Sequence, residues 1–164
     1  VLEVKPDQVT LVPDGPDVLT SNAGWNVISE TDLLKNAIGV LKGAGIRVSL
    51  FTSTEQDQIE AAARIESDRI ELYTEPYAKG FALGDANSVI PFAQASAFAH
   101  SCGLGVNAGH DLDQKNLEHF AKNVPYLAEV SIGHALISDA LYQGLEATVK
   151  SYLHCLGSSP LAEK

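Results

Sequence analysis

Basic residues are scarce in this chain: 11 Lys and Arg stand against 21 Asp and Glu, a formal net charge of −10. That balance argues against a nucleic-acid surface or an anionic membrane as the main partner. Phosphate is not excluded, because backbone amides at helix N-termini attract anions whatever the overall charge. Cysteine is rarer still. Cys102 and Cys155 are the only two, and their spacing matches neither a metal site nor a redox pair, which fits reduced thiols in a cytosolic protein; a structural disulfide is the alternative. No apolar run approaches the roughly twenty residues of a membrane span, since the longest, around 92–99, is interrupted by Gln94, Ser96 and His100. The opening Val1-Leu2-Glu3-Val4-Lys5-Pro6 has no basic leader and no small-residue cleavage site, so a signal peptide is not expected and the chain reads as starting in mid-domain. G-x-G-x-x-G, H-E-x-x-H and a convincing nucleophile elbow are also missing, which leaves dinucleotide-binding, zinc-hydrolase and serine-hydrolase readings unsupported.

What is present is a regular alternation. With 164 residues, 45% of them hydrophobic, the chain is long enough for one domain, expected over 1–156, with a frayed tail over 157–164. A β-branched run at 8–12 closes at Pro13-Asp14-Gly15-Pro16, the pattern of a buried strand entering a loop. Ser29-Glu30-Thr31-Asp32 resembles a capping box, and Leu34, Ala37, Ile38, Leu41 and Ala44 recur at helical spacing up to Gly45. Strands are then expected at 47–51, 69–73, 105–107 and 127–132. Helices are expected from a Thr54 cap through Ile65, over 85–101, near 116–122, and as one closing helix over 138–155.

Five strands each followed by a helix imply parallel strands with right-handed crossovers, an α/β architecture. An open doubly wound sheet and a partial (β/α)₈ barrel both fit that pattern, and in both the ligand edge lies at the strand C-termini. Polar residues gather there: Thr20 and Asn22, Glu71 and Thr74, Asn107 and His110, then Gly133 and His134. Gly109-His110 and Gly133-His134 repeat a Gly-His pair after consecutive strands. Glycine admits close approach of an anion to the backbone, and histidine can donate a hydrogen bond or a proton. A helix-capping role is the bland alternative, more so for His134. Strand alternation separates Glu71 from Ile70 and Leu72, so in a barrel Glu71 points into the interior, where burial would raise its pKa and suit it to acid/base work. An ion pair with Arg69 or Arg47 is the competing role. His100, His119 and His154 read as structural or solvent-facing, and Trp25 and Tyr77 as loop aromatics that either cover a ligand or anchor packing.

Four blocks occur together and in order: Lys5-Pro6-Asp7-Gln8-Val9-Thr10-Leu11-Val12-Pro13, Ala44-Gly45-Ile46-Arg47-Val48-Ser49-Leu50-Phe51, Val106-Asn107-Ala108-Gly109-His110-Asp111-Leu112 and Ser131-Ile132-Gly133-His134-Ala135-Leu136-Ile137. This set resembles the pyridoxine 5′-phosphate synthase family over nearly the whole chain. The resemblance implies a (β/α)₈ TIM barrel, present in part as about five βα units. It implies condensation of 1-deoxy-D-xylulose 5-phosphate with 3-amino-2-oxopropyl phosphate to pyridoxine 5′-phosphate, phosphate and water, with no metal or organic cofactor. It implies that Thr20 contacts deoxyxylulose phosphate, that Glu71 stabilises the transition state and that His110 is the proton donor. Asp111, Gly133 and His134 would help bind the aminooxopropyl phosphate.

The family's first three strands carry an Asn-x-Asp-His segment, an arginine-rich loop and a further catalytic glutamate, and none of these occurs here. The chain is therefore expected to begin before the fourth strand and to be inactive alone, with two sheet edges open to non-native association. Asp111 stands where other members can have glycine, so a phosphate contact there is expected from its amide. A cytoplasmic homo-oligomer, octamers among them, is implied for the complete enzyme. Other phosphate-substrate barrels are the rival, weakened by the lack of a strand-end lysine for a Schiff base; a non-catalytic phosphate-binding remnant is the rival from another class.

Overall fold

A computed structural model describes residues 1–15, 21 and 23–157. Thr20, Asn22 and residues 158–164 of the expected tail lie outside the described residues. Five strands form one sheet in the order β1-β2-β3-β4-β5: β1 (Gln8–Leu11), β2 (Arg47–Thr52), β3 (Arg69–Leu72), β4 (Gly105–Gly109) and β5 (Leu127–Ser131). Every neighbouring pair is parallel. A doubly wound sheet reverses its strand order at a switch point; this one follows the chain without reversal. It also curls, for Gln8 Nε2 on β1 reaches Glu129 Oε2 on β5 at 3.3 Å. Strands four places apart in a flat sheet stand about 19 Å from one another. The partial barrel, not the open sheet, is the architecture.

The two faces of the sheet divide by residue parity. Val48, Leu50, Ile70, Leu72, Val106 and Ala108 face outward and are fully buried beneath the helices. Each large aliphatic in that layer contributes about 1.5 to 3 kcal/mol by leaving water. The helical side of the core comes from Leu34, Ile38 and Leu41 on α1 (Thr31–Gly43), Ile59 and Ala62 on α2 (Gln56–Arg64), Tyr77 on α3 (Glu75–Ala82), Phe92 and Ala99 on α4 (Ile90–Ser101) and Phe120 on α5 (Leu117–Asn123). The concave face carries Gln8 and Thr10, Arg47, Ser49 and Phe51, Arg69 and Glu71, Asn107, Glu129 and Ser131, in register across the ladder. A β-bulge between Val106 and Asn107 keeps β5 in phase: Leu127 pairs with Val106, yet Glu129 pairs with Asn107.

Several local expectations are corrected. The stretch after β3 is a helix, α3, with Pro76 in its first turn; its Gly80, which imitates a loop, is required because a Cβ there would stand 2.5 Å from Ser88 Cβ. The helix expected over 85–101 begins as a 3₁₀ turn, Ala86–Val89, with the Asp85 carboxylate accepting from Asn87 N–H. The single closing helix is two, α6 (His134–Gln143) and α7 (Leu145–Gly157), broken at Gly144 with φ +82°. Neither expected cap forms: Ser29 Oγ donates to Asn26 O at 3.1 Å, and the residue preceding α2 is Glu55, not Thr54. Cys102 and Cys155 are both free thiols. Among the described residues no helix is long and apolar enough to cross a membrane.

Candidate active site

Glu71 is 7% exposed on the concave face of β3. Thr10 Oγ1, from β1, donates to its Oε2 at 3.0 Å, and Ser131 Oγ, from β5, lies at 3.5 Å. Burial holds the Glu71 carboxyl above its ordinary value, against the opposing pull of those two hydroxyls and of His110. The competing role as an ion-pair partner falls away, because both interior arginines belong to Glu129. Arg47 Nη2 reaches Glu129 Oε1 at 2.8 Å and Arg69 Nη1 at 3.4 Å; Arg69 also donates to Asn107 Oδ1 at 2.8 Å. Their charge is spent two residues N-terminal of Glu71 and Ser131 along each strand.

His110 directly follows β4 and has φ +63°. A left-handed conformation costs an L-residue about 1 to 2 kcal/mol, so something must hold it. Its amide donates to Ser131 O at 2.9 Å. Gly109 allows that approach: a Cβ there would collide with the Ser131 carbonyl oxygen and stand 2.8 Å from its carbon. Thr74, fully buried, donates its hydroxyl to Gly109 O. The His110 ring sits 3.3 Å through Nδ1 from Asp111 Oδ2 and edge-on to Phe51 at 6.4 Å.

Gly133 precedes α6, and no side chain caps that end. The first intrahelical bond runs from Ile137 N–H to Gly133 O at 3.0 Å, so the amides of His134, Ala135 and Leu136 have no acceptor within the helix. The His134 ring stands 6.2 Å from that of His110. Glu71, His110, Gly133 and His134 all line one cleft of about 710 Å³, with Ser131, Ile132, Ile137 and Ser138 completing its wall. The two Gly-His loops therefore share one end of the sheet.

Asp111 lies beside the cleft. Its amide, expected to meet a phosphate, is turned onto Gly109 O at 2.8 Å and onto Thr74 Oγ1 at 3.3 Å. Thr20 is outside the described residues. Tyr77 is a helical packing anchor and not a loop residue: it is fully buried, donates to Asn116 O at 2.6 Å and packs against Phe81, Phe92 and Phe120. Trp25 ties its loop to β1 through Nε1–H to Leu11 O at 2.9 Å. His119 stacks on Tyr77, His100 stacks on Tyr126, and His154 is exposed on α7. Thr10, Ser131 and Glu129 carry no site role in the sequence reading, although the alternation that turns Glu71 inward, carried along each strand, finds Thr10 as well. Among the described residues no group of three or more His, Cys, Asp or Glu converges as a metal site.

Comparison with known proteins places this geometry in a family. Residues 1–158 match the family described as pyridoxal phosphate biosynthesis protein PdxJ. A pyridoxine 5′-phosphate synthase from Christiangramia forsetii is 55% identical over 156 residues, covering 95% of this chain and 66% of the relative. One from Porphyromonas gingivalis is 57% identical over 150 residues, covering 92% and 63% respectively. One from Parabacteroides distasonis is 54% identical over 158 residues, covering 96% and 66%. The chain thus spans a little under two thirds of the length of the curated relatives it matches. It belongs to the PdxJ family of pyridoxal phosphate biosynthesis proteins.

Proposed function

We propose that this chain supplies the greater part of the active site of a pyridoxine 5′-phosphate synthase, which condenses 1-deoxy-D-xylulose 5-phosphate with 3-amino-2-oxopropyl phosphate to give pyridoxine 5′-phosphate, inorganic phosphate and water. The observation that carries this is the cleft shared by Glu71, His110 and the N-terminus of α6. An anion belongs at the first-turn amides of α6, where unpaired N–H groups and the helix dipole both favour negative charge. Gly133 adds no side chain to obstruct it. The phosphate of the aminooxopropyl substrate sits there, beside His134.

His110 then transfers the proton. Its ring faces the cleft and contacts the Asp111 carboxylate at 3.3 Å, which orients the imidazole as carboxylate partners of catalytic histidines do. Asp111 therefore serves through its carboxylate on His110 and not through its amide on phosphate. Glu71, biased by burial toward its neutral form, donates a hydrogen bond to charge that develops on the condensing intermediates, and a protonated acid in a dry site does this best. Thr20 contacts deoxyxylulose phosphate. The reading requires no metal or organic cofactor and no nucleic-acid or membrane partner, and it places the enzyme in the cytoplasm as a homo-oligomer, octamers among the family's forms.

The test is incubation of the protein, at its full natural length, with both substrates, following inorganic phosphate and pyridoxine 5′-phosphate together. Equal appearance of the two products is expected. Phosphate release without pyridoxine 5′-phosphate, or neither product, would overturn the assignment.

A further inference from the structure

We infer that Thr74 is a positioning residue for His110, a role that rests on His110 being the proton-transferring group. His110 sits in a left-handed backbone conformation between two residues that Thr74 clasps at once. The Thr74 hydroxyl donates to Gly109 O on one side and accepts from Asp111 N–H at 3.3 Å on the other. One hydroxyl thus closes a ring around the histidine's own backbone.

Thr74 is suited to that task by its place. It is fully buried and lies between β3 and α3, two residues beyond the last residue of β3. Glu71 and Thr74 therefore leave the same strand end, one toward the cleft and the other toward the loop that carries His110. The clasp spans 35 residues in sequence between Thr74 and Gly109, so it couples two βα units at the strand end that carries His110. Asp111, the residue whose amide Thr74 receives, also contacts His110 Nδ1 through its carboxylate. Displacing the Asp111 backbone moves both the ring's partner and the φ of the ring's own residue. Turnover depends steeply on such placement, since a shift of about 1 Å in a reacting group can cost on the order of a hundredfold in rate.

The experiment is a set of variants in the protein at its full natural length. Thr74→Val keeps the shape and removes the hydroxyl; it is expected to lower kcat by on the order of a hundredfold while KM moves far less. Thr74→Ser, which keeps the hydroxyl, is expected to restore most of the rate. In a His110→Ala background Thr74→Val is expected to cause no further loss, because a residue that acts through His110 has nothing left to position. An undiminished kcat in Thr74→Val, or a loss of the same size with and without His110, overturns the inference. Near-normal turnover of His110→Ala alone instead overturns the proton-transfer role on which it rests. If Thr74→Val does not fold, neutron diffraction of the unsubstituted protein decides: a deuteron on Thr74 Oγ1 directed at Gly109 O supports the clasp, and one directed elsewhere removes it.

Discussion

The imidazole rings of His110 and His134 stand 6.2 Å apart and nearly perpendicular, at 88°, across the mouth of one cleft. They come from consecutive strand ends and have different surroundings. His110 is half-buried and held by backbone on both sides, whereas His134 is exposed in the first turn of α6. Proton transfer suits the first position and anion binding the second.

That difference separates two kinds of kinetic effect. His110→Ala and Glu71→Gln are expected to lower kcat by about 10² to 10⁴, the usual contribution of a positioned proton-transfer group. Gly133→Val is expected to raise KM instead: a Cβ at Gly133 meets nothing within 4 Å, so the fold tolerates it while the side chain enters the space proposed for the anion. Steady-state kinetics on the full-length protein check both, and a kcat defect in Gly133→Val with unchanged KM would refute the division.

Glu71 predicts a pH dependence of stability. Its carboxyl is raised above the ordinary 4.5, chiefly by burial. For a group whose pKa is higher folded than unfolded, the folded state binds the proton more tightly, so its contribution is fully present below 4.5 and is lost as pH rises through the folded value. Above the folded value that contribution is gone, and burial opposes the ionised carboxyl. Glu71→Gln is therefore expected to raise the urea midpoint above the folded pKa, with the advantage shrinking as pH falls from there to 4.5 and levelling off below it. A constant difference across that range would show that burial does not govern this carboxyl.

Gly109→Ala is expected to destabilise the protein by about 1 to 3 kcal/mol, the range for forcing extra volume into a packed site. The obstacle is the Ser131 carbonyl, a backbone group that no rotamer change can move. Because the same contact seats the His110 amide, turnover should fall together with stability. Thermal unfolding and kinetics on one variant test both.

The 164-residue polypeptide, purified alone, is expected to give no synthase turnover and to self-associate. It spans a little under two thirds of the length of its relatives, and β1 and β5 are the outer strands of its sheet, so their unpaired backbone groups invite other edges. Sedimentation and an assay for released phosphate check this. A monomer that turns over both substrates at the rate of a complete enzyme would overturn it.

Much of the site was legible because strand parity is a local property. Glu71 alternates with Ile70 and Leu72, and that alone turned it away from the helices. The Gly-His repeats and the polar strand ends likewise lie within a few residues of one another, so their common edge followed from the βα order. Where local signals conflicted, the reading failed. Gly80 and Gly84 masked α3, although Pro76 was a start signal. The apolar continuity from Ser138 to Cys155 hid the break that Gly144 makes with φ +82°.

The sequence by itself determined the parallel α/β alternation, the inward side of β3, the strand-end position of both Gly-His pairs and the likeness to one enzyme family. Only the tertiary structure decided that the sheet curls, that Glu129 and not Glu71 takes the interior arginines, and that Thr10 reaches Glu71 from 61 residues away. It also decided that one buried threonine spans the backbone on both sides of His110. The physical reason is the range of the forces involved. Alternation and capping are set by neighbours along the chain, while the partner of a buried charge is set by whichever groups the closing sheet brings within hydrogen-bond distance.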